Sequence, residues 1–178
     1  MLRDRGVASA AAELRGYRLQ TAMIAELSSI DDALNGLDNV RVQLPDRIAA
    51  AKDATLADRA RAVLADAKRI EGTLSSQPVN DQDNDFLEDL LRERVLSFIG
   101  YLSPGTPTAA QIAESTVLQR EGATALASYR AFVDREVRPL DDALRAAGLA
   151  PLDLNALPPK TKPDPNADEH ARRGEAHE

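Results

Sequence analysis

The densest set of potential ligands in the chain is Asn80-Asp81-Gln82-Asp83-Asn84-Asp85. Oxygen donors at alternate positions suit a hard cation, and Asp81, Asp83 and Asp85 copy the first three ligand positions of an EF-hand loop. The copy then stops. Phe86 stands where the loop needs glycine for its sharp turn, and Arg92 stands where it needs a bidentate glutamate. A solvated loop whose last Asp caps a following helix accounts for the same residues, because the helix dipole favours negative charge there. Calcium binding at 81–85 is carried as a remote alternative. The expected catalytic residues, cofactor and metal are none.

Other chemistry has fewer materials. The chain has no cysteine, and its two histidines, His170 and His177, both fall in a charged, proline-rich terminal stretch. Disulfides, zinc–thiolate sites and cysteine nucleophiles are excluded, and the usual nucleophile–base pairs cannot be assembled from an ordered body without histidine. No Glu-x-x-His pair is present to build a di-iron bundle. Asp31-Asp32 and Asp141-Asp142 are adjacent acidic pairs on helices, and adjacent helical residues do not face each other as an acid–base dyad would. Arg59, Arg61, Lys68 and Arg69 alternate with acids and have no aromatic residue nearby, which reads as a solvated helix face and not a nucleic-acid surface.

Composition agrees. Of 178 residues, 43% are hydrophobic but only 3% aromatic, so the core must be built from Ala, Leu, Val and Ile. A net charge of −7 argues against nonspecific binding to nucleic acid or anionic membrane. No apolar run is long enough to span a bilayer, and Met1 to Ala12 lacks the continuous hydrophobic region of a signal peptide.

The elements that would position any site are helices. The chain is organised around a helix–turn–helix from Asp85 to Ala147, hinged at Ser103-Pro104-Gly105-Thr106-Pro107 and holding five of the six aromatic residues. Its second arm carries Ile112, Thr116, Gln119, Ala123, Leu126, Arg130, Val133, Val137, Leu140 and Leu144 alternately four and three apart, with Tyr129 alongside. Thr106-Pro107 or a Thr108–Gln111 capping box starts this arm. Gly148, Leu149 and Pro151 end it in a left-handed cap, and Pro139 should kink or briefly break it. In the first arm Leu87, Leu91, Val95, Phe98 and Leu102 form one stripe from an N-cap at Asp85.

Upstream, Leu14, Tyr17, Thr21, Ile24, Leu27, Ile30, Leu34 and Leu37 recur at helical spacing, and this stripe predicts one helix that continues past Asn35-Gly36 to a boundary at Pro45. Leu56, Ala60, Val63, Ala67, Ile70 and Leu74 give the most regular stripe of all, opened by a capping-box-like Thr55 to Asp58. Pattern alone leaves open whether a 46–52 turn joins this helix. Five of the ten prolines fall between 151 and 165, so 151–178 reads as a disordered tail, with 151–157 docking loosely through Leu152, Leu154 and Leu157.

The order of features from Asn80 onward, with Leu102-Ser-Pro-Gly-Thr-Pro-Thr108 and then Pro139-Leu140-Asp-Asp-Ala-Leu144 and Gly148-Leu149, resembles the C-terminal helical region of large bacterial sortilin-like β-propeller proteins. These are also labelled glycosyl-hydrolase or BNR-repeat proteins, and the resemblance covers about residues 10 to 152. It implies a non-catalytic appendage to an exported propeller. No catalytic residue transfers, since no propeller motif is present to receive one.

These readings converge on an all-α antiparallel four-helix bundle over 7–150, with helices near 8–44, 55–74, 85–102 and 107–147. The expected function is a non-catalytic interaction or structural module with a protein partner or attached β-propeller. It would bind no nucleic acid and have no membrane span. The alternative is a free-standing cytoplasmic adaptor for a peptide or small ligand. Most of each stripe must be ordinary core, and only surplus exposed apolar surface would mark binding. The stripe of Leu14, Tyr17, Ile24 and Leu27 is expected to cover Tyr129, Phe132, Val133 and Val137, so that deleting residues 1 to 30 would expose them.

Overall fold

The computed structural model describes residues 2–75, 90–102 and 105–156, with side chains from Ala10 onward. Its regular elements are α1 (Leu2–Ala50), α2 (Ala54–Leu74), α3 (Leu91–Tyr101), α4 (Ala109–Phe132), a π-helical turn (Val133–Val137) and α5 (Arg138–Ala146). The all-α expectation holds. Asp81, Asp83, Asp85, His170 and His177 lie outside the described residues, as do Phe86, Leu87, the hinge residues Ser103 and Pro104, and the tail beyond Ala156.

At 1.5 Å per residue α1 is about 74 Å long, whereas α2 and α3 are about 32 and 16 Å. The two shorter helices share the length of the first. After the 51–53 turn, α2 runs back along α1, and Arg41 Nε lies 3.8 Å from Glu71 Oε2. Ser75, at the end of α2, donates to Glu93 Oε1 in the first turn of α3 at 2.6 Å, so α3 takes up where α2 stops. Arg92 pairs with Asp31 of α1 at 2.6 Å, and Arg94 pairs with Glu121 of α4 at 2.6 Å.

Along α1 and α4 the facing positions rise together. Gly16 stands against Gly105 and Pro107, Glu26 against Gly122, and Gly36 against Tyr129. These two helices therefore run in the same direction. A methyl group at Gly16 would overlap the Gly105 carbonyl and one at Gly36 the Tyr129 hydroxyl, whereas at Gly122 it would meet only the movable end of the Glu26 side chain. The core is one cluster, with Met23, Ile30, Leu37, Val40, Leu44, Val63, Leu74, Val95, Leu118, Val137, Leu140 and Leu144 almost fully buried.

The α2 stripe is as the spacing predicts, with Leu56, Ala60, Val63, Ala67, Ile70 and Leu74 all buried. Its cap is Asp53, whose carboxylate accepts from the Thr55 N–H at 2.9 Å, two residues ahead of the expected Thr55–Asp58 box. Thr108 and Gln111 form the reciprocal capping box of α4. The far end closes with the Leu149 N–H on Leu144 O at 2.8 Å and the Gly148 N–H on Arg145 O at 3.0 Å, Gly148 having φ +73°. Pro139 is absorbed by the π turn just before it: Arg138 donates to Val133 O, five residues back, so the rod continues into α5 without a break.

Five expectations need correction. The bundle is not antiparallel throughout, because α1 and α4 run in the same direction. Pro45 does not end α1, which continues to Ala50. The missing N–H costs about 3 kcal/mol in a helix interior, but Leu44 is fully buried and Ile48 packs against the core, so burial carries the helix past the proline. The first arm of the hairpin begins at Leu91 and not at Asp85, because Leu90 is extended with ψ −176°. The outward and inward faces of the first half of α1 are exchanged: Leu14, Tyr17 and Ile24 are exposed at 47%, 68% and 47%, while Ala12 and Met23 are buried. It follows that residues 14–27 do not cover Tyr129, which sits on Gly36, or Phe132, which borders a depression shared with Ile70 of α2.

The same exchange affects the first half of α4, where Ile112 is 49% exposed and Ser115, Leu118 and Gly122 face inward. From Leu126 onward the expected stripe and the buried one coincide at Val137, Leu140 and Leu144. The cause is common to both helices. Close packing of α1 on α4 demands small residues in the contact, and small residues are invisible to a reading that follows large apolar ones.

Candidate interaction surface

The two ends of the bundle differ. At one end, residues 150–156 fold back across α1 and α5. Asn39 Nδ2 donates to both Leu154 O and Ala156 O at 3.0 Å, Gln43 exchanges two bonds with the backbone of Asp153, and Arg47 Nε donates to Ala150 O. Asp141 accepts from the Leu152 N–H at 2.8 Å, and Leu152 is buried beneath the strap. These bonds tie the segment down across both helices, beside a depression of about 530 Å³ that it shares with α5. The docking of 151–156 is tighter than the loose contact expected from the sequence.

At the other end, Gly105 and Pro107 of the α3–α4 turn lie on Gly16, and a depression of about 340 Å³ opens beside them. Glu13, Gly16, Tyr17 and Gln20 form one wall; Leu102, Gly105, Pro107 and Gln111 form the other. Tyr17 is 68% exposed at its rim, and Tyr101, in the last turn of α3, is 77% exposed. Gln111 Nε2 donates to Tyr101 O at 3.3 Å, which ties the end of α3 to the start of α4.

The acidic pairs singled out by sequence have structural partners. Asp31 is bound by Arg92, and the negative charge of Asp32, after burial, helps hold the Tyr129 hydroxyl above its ordinary pKa. Asp141 holds the strap and Asp142 pairs with Arg145 at 3.1 Å. Of the basic run, Arg61 pairs with Asp58 and Arg69 with Asp66 along α2. Among the described residues no group of three or more His, Cys, Asp or Glu could hold a metal ion, and no described helix is long and apolar enough to cross a membrane.

Glu26 Oε1 is sealed against Gly122 without a hydrogen bond, and burial pushes this carboxyl above its ordinary pKa. Sequence reasoning missed both this residue and the groove. The available signal for the groove was Gly16, a glycine inside a helical stretch, which often marks close backbone approach. No family model matches the chain, and no curated protein or solved structure matches it either.

Proposed function

We propose that the chain is a non-catalytic helical interaction module whose contact end is the groove between the start of α1 and the α3–α4 turn. The observation that carries this is the exposure of Tyr17, which lines that groove and is 68% exposed, with Tyr101, the neighbour of the lining residue Leu102, 77% exposed. Exposed tyrosines supply large, stiff, amphipathic contact area and are enriched where proteins meet. The partner favoured is a polypeptide. Under the resemblance carried by Leu102-Ser-Pro-Gly-Thr-Pro-Thr108 and the residues around it, that polypeptide is a β-propeller in the same protein.

A second reading, the free-standing adaptor, takes this depression as the seat of a small ligand. At about 340 Å³ it lies within the range of small-ligand pockets, roughly 300–1,000 Å³. One experiment separates the two. Immunoblotting of native extract with antibody to this chain detects a propeller-sized species if the module reading is right, and a 19.2 kDa species if the adaptor reading is right. In the first case a photoreactive residue at Tyr101 cross-links to the propeller and one at Arg61 does not. Equal cross-linking from both positions, or from neither, refutes the proposed contact end.

A further inference from the structure

Where α2 stops and α3 takes over, α4 passes across the junction with short side chains at Thr124, Ala125 and Ser128. The space they leave is a depression of about 540 Å³, and none of its lining residues lines the groove beside Gly16. Ile70 and Leu91, both part of the core, give it an apolar lining together with Ala125. Its charged groups are three arginines and one acid. Arg69 is held by Asp66 at 2.9 Å and Arg94 by Glu121 at 2.6 Å, whereas the side chain of Arg120 has no partner among the described residues. The hydroxyls are already committed: Thr73 donates to Ile70 O at 2.7 Å, Thr124 to Arg120 O at 2.9 Å and Ser128 to Thr124 O at 3.1 Å. The donors left for a ligand are therefore guanidinium N–H groups, foremost those of Arg120.

Charge and length select the occupant. A guanidinium without a partner calls for an anion, and its planar fork matches a carboxylate. Glu121 lines the same depression, so a ligand with further negative charge would be repelled there. From Arg120 to Ser128 α4 rises about 12 Å, the span of roughly ten carbons at about 1.2 Å per bond of extended chain. We propose that this depression binds a straight-chain monocarboxylate of about ten carbons. Its carboxylate sits on Arg120, and its chain lies along Leu91, Ala125 and Ile70 toward Ser128. The inference stands whether or not the groove beside Gly16 binds a polypeptide.

The test is calorimetric titration of the full chain with decanoate below its micelle concentration, which is expected to show one saturable site. Hexanoate, with four fewer methylenes to bury, should bind roughly tenfold more weakly or worse. Decanol should give no saturable heat. Arg120→Gln should weaken decanoate by roughly tenfold or more. Arg61→Gln, at an exposed arginine paired with Asp58 elsewhere on α2, should leave it unchanged. Thr124→Trp, at an exposed position, should fill the depression, keep the helical circular dichroism and abolish binding. The absence of saturable heat with decanoate overturns the proposal, as does equal binding of decanol or an Arg120→Gln variant that binds like the unaltered chain. Phosphatidylglycerol vesicles that capture the chain through Arg120, when free decanoate does not bind, would assign the site to a membrane surface and overturn it too. So would decanoate binding that appears only when Asp81, Asp83 and Asp85 are replaced by Asn, because the occupant would then be the chain's own acidic segment.

Discussion

Gly36→Ala puts a methyl group where the Tyr129 hydroxyl lies, at the contact that fixes α1 against α4. Two effects oppose. Replacing a mid-helix glycine by alanine favours the helix by about 1 kcal/mol. Overfilling a packed contact costs about 1–3 kcal/mol. Tyr129 is partly buried between helices and its Cζ would be only 3.1 Å from the new atom, so rotation of the ring cannot relieve the overlap cheaply. The overlap should win, with a net loss of about 1–2 kcal/mol. In a protein of this size that lowers Tm by roughly 2–8 °C. Gly72 is the control: it is also helical but has nothing within 4 Å, so Gly72→Ala should gain about 1 kcal/mol. Combining Gly36→Ala with Tyr129→Phe removes the overlapping oxygen and should recover part of the loss. Urea and thermal melts followed by circular dichroism measure all three variants. If Gly36→Ala stabilises as much as Gly72→Ala, the α1–α4 contact described here is wrong.

Asn39→Ala should cost about 1–3 kcal/mol, since it strips the carbonyls of Leu154 and Ala156 of their shared donor, and limited proteolysis should then cut within 150–156. Pro45→Ala restores an N–H inside α1 and should stabilise by about 1–3 kcal/mol in urea melts, whereas a loss would mean that the proline ring itself is needed for packing. The Glu26 carboxyl has a raised folded pKa, so its contribution to stability is full below the ordinary 4.5 and is lost as pH rises through the raised value. Glu26→Gln should flatten that part of the stability–pH curve and leave the chain more stable at neutral pH. An unchanged curve would show that Glu26 is not the group responsible.

Large apolar residues made much of this fold legible. The buried face of α2 follows the stripe from Leu56 to Leu74, and that of the second half of the α4–α5 rod follows it at Leu126, Val137, Leu140 and Leu144, although Arg130 is exposed. Gly148 and Pro151 marked their cap correctly because few residues adopt its positive φ. The first halves of α1 and α4 were read on the wrong face for one physical reason. Their contact is so close that it takes Gly16, Gly36, Ser115 and Gly122, and the larger residues Leu14, Tyr17, Ile24 and Ile112 are left outside. Pro45 misled because its cost is local and its compensation is tertiary: no pattern shows that Leu44 and Ile48 are held by the rest of the core. The acidic loop at Asp81, Asp83 and Asp85 lies outside the described residues, and beyond the hint of Gly16 the groove was not legible because its two walls are about ninety residues apart in the chain.

The proposed groove depends on the starts of α1 and α4 standing together at one open end. Spin labels measure this directly in a chain without native cysteine. Arg15→Cys paired with Thr116→Cys, diluted in excess unlabelled chain, should give a distance of about 25 Å or less, because Gly16 lies beside Pro107 and helices rise only 1.5 Å per residue. Arg15→Cys paired with Arg138→Cys should exceed about 40 Å on the same reckoning. The reverse order, with Arg138 near and Thr116 far, would mean that α4 runs against α1 and that the open end described here does not exist.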